Sequence, residues 1–402
     1  MKISTDNSKI EEILTRSVDA IYPSKKAVKE SLLSGQQLKI YVGIDPTGNY
    51  VHLGHSTNYL LLERLHQLGH KIIVLVGDFT AMIGDPSDKT AERVRLTREQ
   101  VLENLKTFKK QIGKILDFNH AANPIEFKFN SEWLSKLDFE QLTELASNFT
   151  VQQMLERDMF EKRISDGKPL YVHEFFYPLM QGYDSVAMGV DMEIGGTDQT
   201  FNMLAGRTLV RRYQNREKFV IATTLLEDPA TGIKMMSKSL GTGIALSENA
   251  KDMFGKSMAL PDSGIIQVFI DCTRLPMEEI KKKKSRLDKG ENPRNIKLEL
   301  AREIVRMYHG EKPAEAAERE FLRVHRDKEL PAQIEEFKGA GKNLVKVLVE
   351  SGLAKSASEA KRLIDQGGVK VNGRALGPGS YGQTAAQGIV VQVGKRKFIK
   401  IK

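Results

Sequence analysis

A buried strand, a glycine-containing turn and a helix follow one another near the start of the chain, and this unit constrains the fold most. Residues 38–44 are rich in β-branched and aromatic side chains, which is typical of a buried strand. Asp45-Pro46-Thr47-Gly48 predicts a turn, and residues 52–68 have the apolar spacing of an amphipathic helix. The N-terminus of such a helix offers free backbone N–H groups and a positive dipole end to a phosphate. The unit therefore predicts one half of a nucleotide site built around a parallel sheet.

Two short segments, far apart in the chain, favour the same nucleotide site. His52 and His55 lie three residues apart on one helix face, so both can donate to one phosphate chain, and Gly54 lets a flat ring approach the backbone. Lys234 and Lys238 lie on a loop bounded by glycines at 232, 241 and 243, and can neutralise charge on a leaving pyrophosphate. A surface histidine pair and a solvated basic loop are the ordinary explanations of each segment alone. Their joint presence favours the nucleotide site.

These segments are similar to the motifs of a known enzyme class. His52-Leu53-Gly54-His55 resembles the HIGH motif of class I aminoacyl-tRNA synthetases, and Met235-Met236-Ser237-Lys238-Ser239 resembles KMSKS. Met235 stands where that motif has its first lysine, and Lys234 lies one place earlier. The segments 84–87, 177–184 and 195–199 resemble the bacterial-type tyrosyl-tRNA synthetases within the class. The resemblance runs from residue 38 to the C-terminus.

The resemblance implies an activity and a role for individual residues. Tyrosine would be activated by ATP, supplied with Mg²⁺, and transferred to the 3′ end of tRNA(Tyr); no resident metal is expected. The residues implied in catalysis are Thr47, His52, His55, Lys234 and Lys238. Those implied in ATP binding are Asp45, Gly54, Lys89, Arg93, Gly196, Asp198 and Gln199. Tyr41 and Asp184 would bind the tyrosine phenol, and Asp85, Tyr177 and Gln181 its α-amino group. A site built to bond a hydroxyl rejects phenylalanine strongly, so no editing domain is expected.

The alternation of predicted strands and helices indicates an α/β fold with a Rossmann-like parallel sheet. Further strands are expected at 71–77, 125–129, 191–194 and 218–223, helices at 98–116 and 198–213, and a helical stretch at 8–33. We predict a catalytic domain at 1–243 with a helical insertion at about 130–172, a helical domain at 244–330, a linker at 331–341 and a small α+β RNA-binding module at 342–402. By resemblance, the insertion carries the contact of a homodimer and the helical domain lies on the anticodon side.

The excess positive charge is concentrated at the end of the chain. Residues 342–402 contain twelve Lys or Arg and three acids, a net charge of +9, which equals that of the whole chain. Such asymmetry is typical of a nucleic-acid-binding module. The signals there predict two helices, the second beginning near 356–358, and a hairpin at Asn372-Gly373, similar to a small RNA-binding module of a ribosomal protein. Lys361, Arg362 and Lys370 would face phosphates.

Cysteine content and hydropathy bear on the cellular compartment, and the site residues bear on two alternative functions. The single cysteine, Cys272, excludes an intrachain disulfide, and neither a membrane span nor a secretory signal is evident, so we expect a cytoplasmic protein without a membrane partner. A tryptophanyl-tRNA synthetase is one alternative, disfavoured by the C-terminal module and by Tyr41 with Asp184. A synthetase-derived RNA-binding or splicing-accessory protein is the other, disfavoured by intact His52, His55 and Lys238.

Overall fold

The computed structural model describes residues 2–86, 96–155, 158–236, 242–326, 334–394 and 397–402. The chain divides into two compact units, Met1–Glu318 and Arg319–Lys402. Three residues with predicted roles, Lys89, Arg93 and Lys238, lie outside the described ranges. In the described ranges, no helix is both long and apolar enough to cross a membrane.

A sheet of six strands, counted over the described residues, forms the centre of the first unit. The strands are β1 Val18–Tyr22, β2 Lys39–Ile44, β3 Lys71–Val76, β4 Glu126–Phe129, β5 Met192–Gly196 and β6 Phe219–Thr223. Their order is β1-β6-β5-β2-β3-β4, and all neighbours are parallel except β1 and β6. Every residue of β5 is buried, as expected of a parallel sheet covered on both faces. The predicted strands and the α/β fold are confirmed.

Helices connect the strands of this sheet. In the first half of the unit they are α1 Asn7–Ile13, α2 Lys25–Leu33, α3 Leu53–Gln67, α4 Thr80–Ile83, α5 Arg98–Leu105 and α6 Phe108–Ile112. Helix α3 is the predicted amphipathic helix, and its Leu61, Leu62 and Leu65 are fully buried. The candidate site lies at the N-terminal end of α3, which follows β2 in the chain.

Two helix predictions in this half are wrong in detail. The stretch 8–33 is not continuously helical, because β1 lies between α1 and α2 and pairs with β6 about two hundred residues later. Its β-branched and aromatic residues fit that pairing, which local sequence cannot show. The stretch 98–116 is two helices, α5 and α6. Thr107, between them, bonds through its hydroxyl to the carbonyl of Asn49 and to the Gln111 side chain, which fixes the break against the turn before α3.

The rest of the first unit is mainly helical. Its helices are α7 Ser131–Leu134, α8 Phe139–Ala146, α9 Val151–Leu155, α10 Asp158–Ser165, α11 Phe176–Met188, α12 Thr200–Gln214, α13 Ala250–Met258, α14 Ile265–Cys272, α15 Met277–Asp288, α16 Pro293–His309 and α17 Glu311–Arg326, the last continuing past residue 318. The lysine run 281–284 lies on α15, and each lysine pairs with a nearby carboxylate. Cys272 ends α14 and is fully buried.

The second unit is a small α+β fold. Its elements are β7 Glu335–Phe337, α18 Leu344–Glu350, α19 Ala357–Asp365, β8 Val369–Val371, β9 Arg374–Ala375, β10 Val390–Val393 and β11 Lys397–Ile401. The two helices and the hairpin follow the prediction. Ser356 caps α19, and Asn372 and Gly373 both have positive φ, as a two-residue hairpin turn between β8 and β9 requires. Strand β7 lies within the segment predicted as a linker, and pairs in parallel with β11.

Candidate active site

A cavity of about 660 Å³ lies beside β2 and β5, where the order of the sheet reverses. Ligands of open α/β sheets bind at such a switch point, beyond the carboxyl ends of the strands. All predicted site residues of the first unit that the structure describes line this cavity: Tyr41, Asp45, Thr47, His52, Gly54, His55, Asp85, Tyr177, Gln181, Asp184, Gly196, Asp198, Gln199 and Lys234. The structure thus gathers residues from positions 41 to 234 into one site.

The two histidines lie together at the start of α3. His52 precedes the helix, and its backbone N–H donates to Nδ1 of His55 over 3.2 Å. The two rings are tilted by 37° to each other, with centroids 3.7 Å apart. A Cβ on Gly54 would lie 3.1 Å from Nδ1 of His52 and 3.3 Å from Cβ of Met236. The glycine therefore permits the close packing of the first helical turn against the second motif.

The second motif presents its first lysine to the cavity and buries the methionine that follows. Nζ of Lys234 lies 3.6 Å from Oδ2 of Asp198, and both side chains line the cavity. Met235 is 6% exposed, and its sulfur packs against Gly264, where an added Cβ would approach Sδ to 2.4 Å. Lys234 therefore supplies a cation beside the site although the family's motif has its lysine one place later.

The phenol-binding candidates are buried at one end of the cavity. The Tyr41 hydroxyl bonds to Oγ of Ser185 over 2.9 Å. Asp184 accepts from Nε1 of Trp133 at 2.7 Å and from Nδ2 of Asn130 at 3.3 Å. Burial raises the pKa of Asp184 well above its ordinary value, against the lowering effect of these two donors. Each carboxylate oxygen of Asp184 is thus fixed by a donor before any ligand enters.

Burial also affects Tyr41 and Tyr177. It raises the pKa of both phenols well above the ordinary value, and nearby carboxylates add to the effect. Both hydroxyls consequently stay protonated at neutral pH. Each hydroxyl therefore keeps its proton for a hydrogen bond inside the cavity wall.

Asp45 connects Tyr177 and Thr80 in the wall of the cavity. Its Oδ2 accepts from the Tyr177 hydroxyl at 2.9 Å, and its Oδ1 accepts from Oγ1 of Thr80 at 2.8 Å. The sequence expectation placed Tyr177 at the α-amino group of the substrate, whereas here its hydroxyl donates to Asp45. Asp85 accepts from Nε2 of Gln199 at 2.6 Å, so a predicted tyrosine-binding residue and a predicted ATP-binding residue contact each other.

Sequence reasoning missed several residues of this site. Trp133, which lies in the predicted insertion, received no role, and neither did Asn130, Thr80 and Glu193. Glu193 is the second residue of β5, lines the cavity and accepts from Nε2 of Gln181 at 3.0 Å. A charged residue within a buried strand is the one local signal that marks it, since such a position otherwise favours an apolar side chain. Over the ranges that the structure describes, no group of three His, Cys, Asp or Glu is arranged to hold a metal ion.

Comparison with known proteins agrees with this geometry. The family of class I tRNA synthetases (W and Y) matches residues 33–326, and the S4 domain matches residues 342–380. The fold, the site and this match define a class I aminoacyl-tRNA synthetase. The tyrosine–tRNA ligase of Carboxydothermus hydrogenoformans is 46% identical, with 97% of each chain covered, and that of Haemophilus influenzae is 43% identical, with 99% of this chain and 98% of the relative covered. The chain belongs to the tyrosine–tRNA ligase family.

Solved structures show the same fold at lower identity. A C-terminally truncated mitochondrial tyrosyl-tRNA synthetase of Aspergillus nidulans has a TM-score of 0.65 at 21% identity, covering 79% of this chain and 93% of that one. The tyrosyl-tRNA synthetase of Archaeoglobus fulgidus, complexed with L-tyrosine, has a TM-score of 0.61 at 19% identity, covering 78% of this chain and all of that one.

Proposed function

We propose that this one cavity of the first unit carries out both steps of the tyrosine–tRNA ligase reaction. The tyrosine carboxylate attacks the α-phosphate of ATP, which gives tyrosyl-adenylate and pyrophosphate, and the 3′-terminal ribose hydroxyl of tRNA(Tyr) then takes the tyrosyl group. The first step needs positioning and charge neutralisation more than a general base. The proposal rests on one observation: the histidine pair, Lys234 and the buried Tyr41–Asp184 end all line the same cavity.

In this proposal the tyrosine substrate lies at the buried end. Its phenol bonds to Tyr41 and Asp184, whose partners Ser185, Trp133 and Asn130 hold them in place. Its α-amino group lies near Gln181, Tyr177 and Asp85. Carboxylates and an amide carbonyl are suitable acceptors for an ammonium group.

ATP occupies the end at the start of α3. His52, His55 and Thr47 contact the polyphosphate, while Lys234 and Lys238 neutralise the leaving pyrophosphate. Asp45, Gly54, Gly196, Asp198 and Gln199 hold the nucleoside, and Lys89 and Arg93 assist at the phosphates. Mg²⁺ enters as part of the substrate, bound to ATP.

The second unit binds tRNA. Lys361 and Arg362 on α19 and Lys370 on β8 are all exposed, so they are accessible to phosphates. Since the fold lacks aromatic residues interleaved with these cations along α19, we propose contacts to backbone and shape rather than to base identity.

A homodimer through the segment 130–172 is a further part of the proposal. Phe139, Val151 and Val172 are 84%, 67% and 72% exposed, and apolar side chains at such exposure favour a partner surface. Sedimentation of the wild type beside a Phe139→Glu, Val151→Glu double variant tests this, and a dimeric double variant contradicts it. We also propose a cytoplasmic location, which is supported by the single buried cysteine.

Pyrophosphate exchange with each amino acid in turn tests the activity. We expect exchange with tyrosine, and at least about a thousandfold weaker exchange with phenylalanine or tryptophan, because the phenol site leaves its own groups unpaired with either analogue. Comparable exchange with tryptophan would favour the tryptophanyl alternative. Absence of exchange with every amino acid, together with tRNA binding, would favour the RNA-binding accessory alternative.

A further inference from the structure

A lysine and a glutamate form an ion pair inside the wall of the tyrosine end. Lys218, directly before β6, and Glu193, in β5, have side chains that are 0% and 2% exposed. Nζ of Lys218 donates to Oε2 of Glu193 and, at 3.1 Å, to the carbonyl oxygen of Met203. An ammonium group has three N–H donors, and these two acceptors satisfy two of them. Burial lowers the pKa of Lys218, and Glu193 opposes that effect.

The helix next to this pair leaves room for the ammonium group. A Cβ on Gly206 of α12 would lie 2.5 Å from Nζ of Lys218 and 2.8 Å from Oγ of Ser185, the partner of Tyr41. Nζ also lies 5.7 Å from the centre of the Tyr41 ring. The lysine head therefore occupies a fitted space behind the phenol-binding residues.

Such a pair contributes little net stability, because removing two charges from water costs about as much as their attraction returns. Well-packed apolar residues would serve the wall equally well. Stability alone therefore does not explain why this pair is present. Its position beside the cavity indicates a role in the substrate site.

Glu193 connects the lysine to the substrate site. While Lys218 binds Oε2, Oε1 of Glu193 accepts from Nε2 of Gln181 at 3.0 Å. Glu193 and Gln181 line the cavity, and Lys218 is not among the described residues that do. An ionised carboxylate only accepts, so the Gln181 amide must turn its nitrogen toward Glu193. Its carbonyl oxygen is then left for the cavity, where it can accept from the ammonium group of tyrosine.

We propose that Lys218 is a positioning residue of the tyrosine site, which acts through Glu193 to fix the orientation of the Gln181 amide. The inference rests on the proposed binding of the tyrosine ammonium group near Gln181. It adds a residue outside the cavity to the determinants of tyrosine affinity.

The isosteric change Glu193→Gln gives the sharpest test. Lys218 keeps the one carbonyl oxygen of the new amide, so the NH₂ group faces Gln181 and forces its amide to turn. We expect the KM for tyrosine in pyrophosphate exchange to rise about tenfold or more, with kcat and the KM for ATP within about threefold of wild type. The effect on KM alone separates positioning from a general loss of structure.

Adding Lys218→Met to Glu193→Gln should restore affinity. Without the ammonium group, the amide at position 193 is free to present its oxygen to Gln181, and no unpaired charge remains buried. We expect the KM for tyrosine to return to within about threefold of wild type. Lys218→Met alone leaves Glu193 unpaired and should raise the KM for tyrosine. If this single variant does not fold, the comparison of Glu193→Gln with the double variant still tests whether Lys218 acts through Glu193.

Arg207→Met is the matched control. Arg207 follows Gly206 on α12 and pairs with Glu217, the neighbour of Lys218, outside the cavity. It should leave the KM for tyrosine unchanged. An unchanged KM in Glu193→Gln, or a double variant no better than Glu193→Gln, overturns the inference. Failure of the proposed function would instead appear as wild-type enzyme without tyrosine-dependent exchange.

Discussion

In the proposed function, Asp184 is the single side chain on which the choice of amino acid depends most. Its two oxygens accept from Trp133 and Asn130, which leaves the carboxylate rigid and directed at the buried end of the cavity. A phenol that enters adds a donor to this arrangement, whereas the phenyl ring of phenylalanine leaves a buried carboxylate without it. We therefore expect discrimination at this site to come from the cost of an unpaired group.

We predict that Asp184→Ala relaxes discrimination more than it lowers activity. The ratio of kcat/KM for tyrosine to that for phenylalanine should fall at least about tenfold, because the phenol loses a buried hydrogen-bond partner. Pyrophosphate exchange with both amino acids measures the ratio. Asp166→Ala, at an exposed acid that pairs with Lys168, should leave it unchanged. An unaltered ratio in Asp184→Ala would show that other residues recognise the phenol.

The two lysines of the second motif give another prediction for single residues. Lys238→Ala should lower the rate of adenylate formation by roughly 10²-fold, which is typical of losing a charge that stabilises a transition state, with little effect on tyrosine affinity. Lys234→Ala should cost less, because Lys234 already pairs with Asp198. Single-turnover formation of the adenylate measures both, with Lys251→Ala on the exposed face of α13 as control. A larger loss at Lys234 would reverse the assigned roles.

The resemblance to a family named residues that line one cavity, but not how they contact one another. Tyr41, Asp184 and Gln181 were expected to contact substrate, yet their partners Ser185, Trp133 and Glu193 were not identified. These contacts join β2, β5, α7 and α11, so they depend on how distant elements pack. Periodicity and propensity describe one element at a time and contain no information on that packing.

At the scale of elements, the segment after β6 fixes the second motif against α14. Met235 packs into the space at Gly264, and the N–H of Leu53 at the start of α3 donates to the carbonyl of Ile244 at 2.8 Å. The first motif is therefore held by the backbone of residue 244, and the second by an apolar side chain at the start of α14. Met235 contributes packing where the family's motif has a cation.

We predict that Met235→Lys destabilises the protein and does not increase adenylate formation. The new ammonium group would have to enter an apolar site that is 6% exposed, at a cost of about 2 kcal/mol or more. Thermal unfolding and pyrophosphate exchange measure the two effects. Met235→Leu, which nearly conserves volume, should be tolerated. A stable Met235→Lys enzyme with faster exchange would show that position 235 faces the nucleotide.

The elements themselves were predicted with uneven success, for a physical reason. The strands β2, β3 and β6 are short apolar runs bounded by turns or helices, and they were identified, as were β4 and β5, which carry charged residues within the strand. Strand β1 was missed because its five residues lie inside a stretch with helical composition, and pairing with β6 decides their conformation. Local propensity is a weak determinant when a sheet edge is available.

At the scale of the whole molecule, charge and catalysis are separated along the chain. The described site residues all lie in the first unit, between Tyr41 and Lys234. The net positive charge lies in residues 342–402, which form most of the second unit. Because β7 belongs to the sheet of that unit, a clean removal must begin before it, and a chain that ends at Arg326 meets this condition.

We predict that truncation after Arg326 separates tRNA binding from tyrosine activation. Residues 327–402 contain fourteen Lys or Arg and seven acids, so the truncation removes a net charge of +7. Binding of tRNA should weaken, and its dependence on salt should flatten, since each lost phosphate contact removes nearly one unit from the slope of log affinity against log salt. Tyrosine-dependent pyrophosphate exchange needs no RNA and should stay within about threefold of the full chain. The tRNA affinity at several salt concentrations and the pyrophosphate exchange are measured on one preparation. A full-length Lys361→Ala, Arg362→Ala, Lys370→Ala variant, measured beside it, should show a smaller change in the salt dependence in the same direction. If the truncated enzyme charges tRNA as well as the full chain at physiological salt, the second unit does not bind tRNA in this reaction, and its charge must have another partner.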